Sequence, residues 1–553
     1  METPTVTNTS QFAFIDSIFS QWNNYESPGC AIGLLHNDEL LYARGFGLAN
    51  LEHKIPITND TVFRIASVSK QFTAACIVLL EEEGKLSLND YINKFFPEFS
   101  DVFKDIKIIH LLNHTSGLRD YLWLFNFAGY SFRALDLVDE HVFLDMMIRQ
   151  KALNFEPGSK FMYSNSGYVL LSLLVKRITG LSLKEYADRN IFIPLQMNTT
   201  HFHDDHQLVV NNRARAYTID NDNHFVIFDT HSELTGDGAV FTTLGDMTKW
   251  AKNFTSNKLG KKLQSFNEKL VTPGILNNGK TINYALGLRI TVHKGFKQIY
   301  HAGMIAGFRS VFIIFPEEKL ILFCFANVAS INPENLCNKI VDVLLKDKIQ
   351  SRTLDQKPLL HPLSNSNTIS FDEFKGIYRN IEKKQVYSIY VENGKLVSEL
   401  YAVDQLYLHS KTIYNKIKEN MFYRGSGLLE ANLHFDQHGP HQKDTFIAYE
   451  DNGDKIPFER ITIPEISADQ LAKYTGRYYS EELDTYYDID TFENRLLVTI
   501  KRIEKITMQY FIISENEFTC NQAFIKFYEN NKGVCKFELS TLRIPNPIVF
   551  LKA

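Results

Sequence analysis

A change of pattern near residue 350 constrains the fold of this chain more than any other feature. Up to about residue 345, apolar runs with helical spacing alternate with strand-like runs. Residues 351–370 are polar, with Pro358, Pro362 and a Ser-Asn run, which is typical of a linker. Short alternating β runs with Gly and Asn turns follow. We therefore predict a domain at 1–350, a linker and an all-β tail.

The tail repeats itself. Residues 374–378 resemble residues 474–478, and both stretches contain a Gly followed two positions later by a Tyr. Strand-turn-strand patterns at 387–397 and 487–498 also correspond. Internal similarity of this kind predicts two related β-barrel or half-barrel units, at 371–462 and 463–553. The tail has no obvious constellation of catalytic residues.

The first domain has strand patterns at both ends and helical patterns between them, which predicts a sheet covered by helices. A hairpin is expected at 30–47, because a polar turn joins two apolar runs. The later strands have the spacing of an antiparallel meander, and we expect them at 285–290, 298–303, 310–315 and 320–327. Helices are expected at 12–22, from residue 70 onwards, and at 134–149, 169–178 and 335–345.

Ser67 and Lys70 precede an apolar helical run at 71–80. If Ser67 starts that helix, the two side chains lie on one face and can meet. A serine hydroxyl becomes a good nucleophile when a neighbouring base takes its proton, and a lysine held neutral by its surroundings can be that base. The pair is therefore a candidate acyl-transfer centre. By itself it is equally explained by a helix cap.

Two further short patterns carry candidate chemistry. Tyr163 could act as a general base beside a lysine, and Asn165 could hold that lysine and bind a substrate carbonyl. His301 and Gly303 end a predicted strand, where backbone N–H groups can stabilise an oxyanion. Taken singly, the tyrosine is an ordinary loop aromatic and the histidine an ordinary strand end.

Together, the Ser-Val-Ser-Lys, Tyr-Ser-Asn and His-Ala-Gly motifs, in this order and spacing, resemble the serine β-lactamase and penicillin-binding-protein family. Flanking stretches at 111–118, 156–158 and 236–243 fit as well, and the likeness covers residues 12–345. It is greatest for the branch of class C β-lactamases, D-aminopeptidases and related esterases. A tail of two β units also resembles the architecture of D-aminopeptidases.

The resemblance implies an α/β (α+β) domain with a helical region beside an antiparallel sheet and the site between them. It implies that Ser67 is the nucleophile, that Lys70 and Tyr163 form the base system, and that Asn165 orients the substrate. The N–H groups of Ser67 and Met304 would form the oxyanion hole. Many family members have lysine at the position of His301. Histidine there is similar to the D-aminopeptidase and esterase branches.

The expected function is therefore that of a serine hydrolase acting through a Ser67 acyl-enzyme, with small D-amino-acid peptides or amides as the first choice of substrate. An esterase or transacylase is the second choice, and a weak class C-like β-lactamase or D-Ala-D-Ala carboxypeptidase remains open. A different class is a catalytically idle interaction protein. The intact motif residues argue against it, because an inactive member usually lacks one of them.

Composition limits the partners and the compartment. Net charge is −5 and Lys and Arg are dispersed, which argues against nucleic acid binding. No apolar run is long enough to span a bilayer. Six separated cysteines and no visible signal peptide predict the cytoplasm, or the periplasm or outside if a leader was trimmed. The sequence leaves a homo-oligomer open.

No cofactor is expected, because the serine mechanism needs no metal. Residues 201–206 contain three His and two Asp and look like a metal cluster. The stretch also has the composition of a polar surface turn, and we predict that reading instead.

Overall fold

The chain forms two units, each described by itself. The computed structural model describes residues 12–130, 138–256, 258–260, 263–355, 371, 374–380, 385–400, 412–418, 421–423, 432–435, 445–449, 455–502, 505–520 and 523–553. The first of the two units, which we call the sheet unit, comprises Met1–Leu118, Leu135–Ile148 and Phe155–Asp355. The second, the barrel unit, comprises Arg119–Ala134, Arg149–Asn154 and Gln356–Ala553.

The described helices, in chain order, are α1 (Ala13–Ile18), α2 (Lys70–Glu82), α3 (Ile108–Leu112), α4 (Tyr121–Phe127), α5 (Glu140–Ile148), α6 (Asn165–Thr179), α7 (Leu183–Ala187), α8 (Leu244–Ser256), α9 (Leu263–Leu270), α10 (Pro333–Leu344), α11 (Lys346–Asp355) and α12 (Ala468–Ala472). The strands before the tail are β1 (Cys30–His36), β2 (Glu39–Phe46), β3 (Leu48–Asn50), β4 (Ile55–Pro56), β5 (Phe63–Arg64), β6 (His201–Phe202), β7 (Tyr217–Ile219), β8 (Phe225–Ile227), β9 (Val240–Thr242), β10 (Arg289–His293), β11 (Phe296–Ile305), β12 (Phe308–Phe315) and β13 (Leu320–Ala326).

The tail strands are β14 (Gly376–Asn380), β15 (Gln385–Glu392), β16 (Lys395–Leu400), β17 (Thr412–Lys418), β18 (Met421–Tyr423), β19 (Asn432–Phe435), β20 (Thr445–Tyr449), β21 (Lys455–Ile461), β22 (Gly476–Ser480), β23 (Thr485–Phe492), β24 (Arg495–Lys501), β25 (Lys505–Ser514), β26 (Glu517–Cys520), β27 (Ala523–Asn530), β28 (Gly533–Thr541) and β29 (Ile544–Lys552).

The sheet unit is built on a six-stranded antiparallel sheet with the order β10-β11-β12-β13-β1-β2. The hairpin from the start of the domain joins the later meander where β1 pairs with β13, from Cys30 opposite Ala326 to His36 opposite Leu320. Both strands are almost fully buried, which explains their continuous apolar sequences. The predicted hairpin and meander are confirmed. Helices α1 and α10 pack against this sheet in one apolar core.

The first predicted strand of the meander is misplaced. It was expected at 285–290, but β10 begins at Arg289. Residue Gly287 has φ of +75°, and a Cβ there would lie 2.7 Å from the carbonyl carbon of Lys70. Residues 285–288 therefore turn tightly against α2, a conformation that only glycine allows at this point.

Helix boundaries differ from the expectations in several places, among them the start of α6, which lies at Asn165 rather than at residue 169. The helix expected at 12–22 ends at Ile18 and is followed by a 3-10 turn, Ser20–Trp22. The helix expected at 134–149 spans Glu140–Ile148, and residues 131–137 lie outside the described part. The predicted linker begins too early, because α11 continues to Asp355; this stretch holds several good helix formers, and Ile349 packs against the core. Residues 356–370 are not among those described.

The barrel unit contains two closed eight-stranded barrels, β14–β21 and β22–β29. Both bury aromatic side chains, among them Tyr378 and Tyr478 at matching positions of the repeat. Each of these hydroxyls donates to a main-chain carbonyl four residues earlier, Phe374 and Tyr474 respectively. The prediction of barrel-like units is confirmed, and the shared hydrogen bond is the structural counterpart of the sequence repeat.

Two segments from inside the predicted first domain belong to the barrel unit. Arg119–Ala134 and Arg149–Asn154 group with the tail rather than with the residues beside them in sequence. The Tyr487 hydroxyl donates to the Phe127 carbonyl at 2.9 Å, within this unit. Such contacts join residues several hundred positions apart, so local patterns could not predict them.

Within the described residues, no single helix is long and apolar enough to cross a membrane. The bent pair Asn165–Thr179 and Leu183–Phe192 reaches the required length and apolarity only when its two members are counted together.

Candidate active site

Ser67 lies in a 3-10 turn, Ala66–Ser69, which leads directly into α2. The preceding residue, Ala66, has a left-handed backbone with φ of +47°. Such a conformation is strained for a residue with a side chain and is common at functional sites. Two hydrogen bonds to Val240 hold the turn. The Ile65 N–H donates to the Val240 carbonyl, and the Val240 N–H donates to Ser69 Oγ. The Ser67 side chain is left partly accessible.

Lys70 is fully buried, and its Nζ contacts three neutral oxygens. Nζ lies 3.2 Å from Ser67 Oγ, 2.9 Å from Asn165 Oδ1 and 2.6 Å from the Asp237 carbonyl oxygen. Within the described part of the chain, it has no carboxylate partner. An amine so placed is adjacent to the serine hydroxyl and is oriented by two further acceptors. The predicted meeting of Ser67, Lys70 and Asn165 is therefore present.

Aromatic rings surround the lysine on one side. Nζ is 5.0 Å from the ring centroid of Tyr163 and 5.3 Å from that of Tyr168. Asn165 is the first residue of α6, and Tyr163 lies two residues before it on the loop leading into that helix. Burial raises the pKa of Tyr168 well above its ordinary value. Its hydroxyl donates to the Leu112 carbonyl, so it packs as a neutral support beneath Tyr163 and Lys70.

The backbone of 236–240 supplies contacts that the sequence did not reveal. Besides the Asp237 carbonyl bound to Lys70, the Gly236 carbonyl accepts from Thr73 Oγ1 at 2.7 Å and the Gly238 carbonyl from Arg64 Nε at 3.2 Å. The stretch had entered only as a flank of the resemblance. Carbonyl groups are common to all residues, so no side-chain pattern could mark this role.

His301 lies at the site on β11, but it faces a buried network. Its Nε2 accepts from the Tyr284 hydroxyl at 2.9 Å, and its Nδ1 donates to the Ala302 carbonyl at 2.7 Å. Burial, with the nearby charges of Lys70 and Arg289, holds the pKa of His301 well below its usual range. His301 is therefore neutral at physiological pH, with both ring nitrogens engaged, and it supplies no positive charge.

Gly303 brings β11 against the serine turn. A Cβ at this position would lie 2.3 Å from Ser310 Oγ and 2.4 Å from the Ile65 carbonyl oxygen. Glycine is therefore required for this close approach. The Ser310 hydroxyl donates to the same Ile65 carbonyl at 2.6 Å, which ties β12 to the turn. Met304 follows on β11, with its side chain largely exposed, so only its backbone is suited to the site.

Three residues near Tyr163 were missed as individual contributors. Tyr284 holds His301, as described above. His114 packs against Tyr163 with 4.1 Å between ring centroids. The guanidinium carbon of Arg289 is 5.9 Å from the ring centroids of both Tyr163 and Tyr284, and no ion pair or side-chain hydrogen bond is found for it among the described residues. Only His114 lay in a motif that the sequence had marked.

The metal-like stretch at 201–206 does not gather its histidines into one site. His201 and His203 contact each other through ring nitrogens 3.4 Å apart, and His203 is buried against Phe241. His206 lies instead beside Glu233. One possible ligand atom each from Asp205, His206 and Glu233 lies within 4.8 Å of the other two, and the group is largely exposed. The predicted polar surface turn fits only the end of the stretch, because His201 and Phe202 form β6 and His203 is buried.

Comparison with known proteins assigns the family. A family model described as Beta-lactamase matches residues 14–342. The chain belongs to the β-lactamase family. This β-lactamase-family chain is 31% identical over 311 residues to penicillin-binding protein 4* of Bacillus subtilis (strain 168), a match covering 52% of this chain and 66% of the relative. It is 28% identical over 292 residues to a D-aminopeptidase of Brucella anthropi, covering 52% of this chain and 53% of the relative.

The matched stretch thus spans about two thirds of the first relative and about half of the second. Among solved structures, the octameric penicillin-binding protein homologue from Pyrococcus abyssi is similar, with a TM-score of 0.56 and 21% identity over 82% of this chain and all of that one. At this identity the likeness concerns the fold. The resemblance inferred from the motifs is confirmed, and so is the predicted fold class.

Proposed function

We propose that this β-lactamase-family chain is a serine hydrolase that forms an acyl-enzyme on Ser67. The convergence of Ser67, Lys70 and Asn165 carries this proposal, since three motif residues from separate elements share one hydrogen-bonded centre. Ser67 Oγ attacks the substrate carbonyl carbon and forms the acyl bond, while the amine or alcohol leaves. Water then hydrolyses the acyl bond and restores the serine.

Lys70 and Tyr163 act together as the base system in this proposal. Lys70 Nζ, 3.2 Å from Ser67 Oγ, is within reach of the serine proton. Tyr163 lies beside the lysine and passes a proton to the leaving group. The absence of a carboxylate at Nζ among the described residues supports this role, because a salt bridge would hold the proton on the amine.

The oxyanion hole is proposed to consist of the Ser67 and Met304 backbone N–H groups. The steric requirement for glycine at 303 supports this arrangement, since it lets the β11 backbone pass close to the serine turn. Backbone donors fixed in a strand and a turn need no reorganisation as charge develops on the substrate oxygen. Asn165, already held by Lys70, is placed to orient a substrate amide.

For the substrate, we propose a small peptide or amide with a D-residue. The similarity to a D-aminopeptidase over 292 residues supports this choice. The neutral state of His301 also supports it, because the site lacks the lysine that many β-lactamases and penicillin-binding proteins have at this position. An esterase or transacylase remains the next alternative.

One observation favours a second candidate, hydrolysis of a substrate with a free carboxylate, as in a D-Ala-D-Ala carboxypeptidase. Because His301 is neutral, Arg289 supplies a positive charge near the site. Its guanidinium carbon lies 5.9 Å from the centroid of the Tyr163 ring, and it has no acidic partner among the described residues. A guanidinium binds carboxylates through two parallel hydrogen bonds.

The test compares hydrolysis of a D-alanyl anilide, its L-isomer, an N-acyl-D-alanyl-D-alanine, a short acyl ester and a chromogenic cephalosporin by the same preparation. We expect the D-alanyl anilide to be turned over fastest. Dominant turnover of the acyl-D-alanyl-D-alanine, lost in Arg289→Met and weakened in Arg289→Lys, would support the second candidate. Dominant cephalosporin turnover would contradict both. No acyl-enzyme with any of them would favour the idle interaction protein.

A further inference from the structure

His114 has a backbone conformation that glycine would normally provide. Helix α3 ends at Leu112, Asn113 is its C-cap, and His114 follows with φ of +60°. Thr115 N–H donates to the His110 carbonyl at 2.9 Å, the bond that closes a helix C-terminus of this type. A side chain in the left-handed region is unfavourable, and the contacts that the imidazole makes offset this cost.

The same residue contacts three consecutive positions of the Tyr163 loop. Its carbonyl accepts from Met162 N–H at 2.9 Å, and its Nδ1 accepts from Ser164 N–H at 3.2 Å. Between these two bonds, the imidazole packs on the Tyr163 ring with 4.1 Å between centroids and an angle of 37° between the ring planes. The loop is therefore held before the tyrosine by the His114 carbonyl, and at and after it by the His114 ring; the residue is only 1% exposed.

The protonation state of this imidazole follows from its partner. A backbone N–H can only donate, so Nδ1 carries a lone pair and the ring is the neutral Nε2–H tautomer. On another side the ring meets Tyr284 at 4.6 Å, and the Tyr284 hydroxyl donates to His301. The rings of His114 and Tyr284 therefore pack beside Tyr163, and Lys70 Nζ lies 5.0 Å from the centroid of the Tyr163 ring.

We propose that His114 is a positioning residue for Tyr163, fixing the tyrosine hydroxyl toward Lys70 and Ser67. This inference rests on the proposed function, in which Tyr163 carries protons during acylation. A residue that only completes the end of α3 would affect stability alone. A residue that positions Tyr163 affects the chemical step, and only while the Tyr163 hydroxyl is present.

The experiment is a double-mutant cycle with His114→Asn and Tyr163→Phe, using turnover of the best substrate. Asparagine tolerates the left-handed backbone but removes the ring. We expect H114N to lower kcat about 10- to 100-fold, as for a misplaced catalytic group, with KM changed less than about 3-fold. In the Tyr163→Phe background, the same change should lower kcat by less than about 3-fold.

His203→Asn is the matched control, because His203 is similarly buried at 2% exposure but packs on Phe241. His203→Asn should lower the melting temperature and change kcat only slightly. This small change in kcat should be the same with and without Tyr163→Phe. If H114N does not accumulate as folded protein, His114→Gly replaces it, since glycine removes the backbone strain.

The possible failures are distinct. Suppose that Tyr163→Phe lowers kcat and that H114N lowers kcat by the same factor in the Tyr163→Phe background as in wild type. The positioning role is then overturned, while the proposed function stands. If H114N only lowers the melting temperature, the positioning role is likewise overturned. If Tyr163→Phe retains full activity, the proposed base system is contradicted, and the role of His114 falls with it.

Discussion

Each unit of the chain buries a cation, and the two surroundings differ in one respect. Lys70 in the sheet unit meets a hydroxyl, an amide oxygen and a backbone carbonyl. Arg119 in the barrel unit bonds to Gln150 and two backbone carbonyls, and also to the Glu482 carboxylate at 2.5 Å. Both side chains are almost completely buried. Among the residues that the structure describes, only Arg119 of these two has a carboxylate partner.

The difference separates a site suited to proton transfer from one suited to holding structure. A buried cation paired with a carboxylate keeps its proton and, if one partner is removed, leaves a charge that is costly to bury. A buried amine whose acceptors are neutral oxygens is held against a neighbouring hydroxyl rather than in an ion pair. Changes in the first unit should therefore affect turnover, and changes in the second should affect stability.

The largest effect is expected for Ser67→Ala. Turnover of every substrate should fall by about 10⁴-fold or more, because the nucleophile acts as a unit with its base. The melting temperature should change little, since the hydroxyl is partly accessible. Ser69→Ala is the matched control: it loses the bond from Val240 N–H, which stabilises the fold by about 1 kcal/mol, but keeps the nucleophile. Equal loss of turnover in both variants would contradict the assignment.

Gly303→Ala should come next. The added Cβ would overlap the Ile65 carbonyl, so β11 must move away from the serine turn. We expect kcat to fall by about 10³-fold, comparable to the loss of an oxyanion-hole donor. Gly245→Ala provides the control, because a Cβ there meets only Thr243 Oγ1 at 3.7 Å. Unaltered steady-state kinetics of Gly303→Ala would show that the close approach is not needed.

In the barrel unit, Arg119→Met should lower the free energy of unfolding by about 3 kcal/mol, because it leaves Glu482 buried without its partner. Hydrogen exchange of peptides from 476–552 measures this directly, and their protection should decrease. Arg477→Met, which breaks an exposed ion pair with Asp488, is the control and should leave protection nearly unchanged. Equal protection in Arg119→Met and wild type would remove the proposed contrast between the two cations.

Much of both units could be predicted from local sequence, and the exceptions share a cause. The strands β1 and β13 and the helix α6 were evident because apolar runs and turn residues mark them. The pairing of Arg119 with Glu482 was not evident, since it joins positions 363 residues apart. At the site, the motif side chains were predicted. The Asp237 carbonyl was not, because a backbone group leaves no trace in the residue pattern.

The smallest effect is a pH dependence between the two barrels. Burial favours the neutral form of Glu517, but hydrogen bonds from Arg379 and Ser514 and the Arg379 charge outweigh it and lower its pKa from 4.5 to about 2. A lowered carboxyl pKa contributes stability that is present above about pH 4.5 and is lost as the pH falls through about 2.

Glu517→Gln should therefore destabilise the barrel unit by about 2 kcal/mol at pH 7, and the difference from wild type should shrink toward pH 2. Urea unfolding at pH 3 and pH 7 measures it. If the difference in free energy of unfolding between the variant and wild type stays constant with pH, Glu517 contributes through packing rather than through its charge. Paired charges would then contribute less to the stability of the barrel unit than we propose.

The central claim is that chemistry in this chain begins at Ser67. Intact-mass spectrometry after treatment with a fluorophosphonate probe, followed by peptide mapping, tests it most directly. We predict one adduct per chain, located on Ser67, that is absent in Ser67→Ala and forms much more slowly in Lys70→Met. An adduct on another residue, or equal labelling of Ser67→Ala and wild type, would contradict the account.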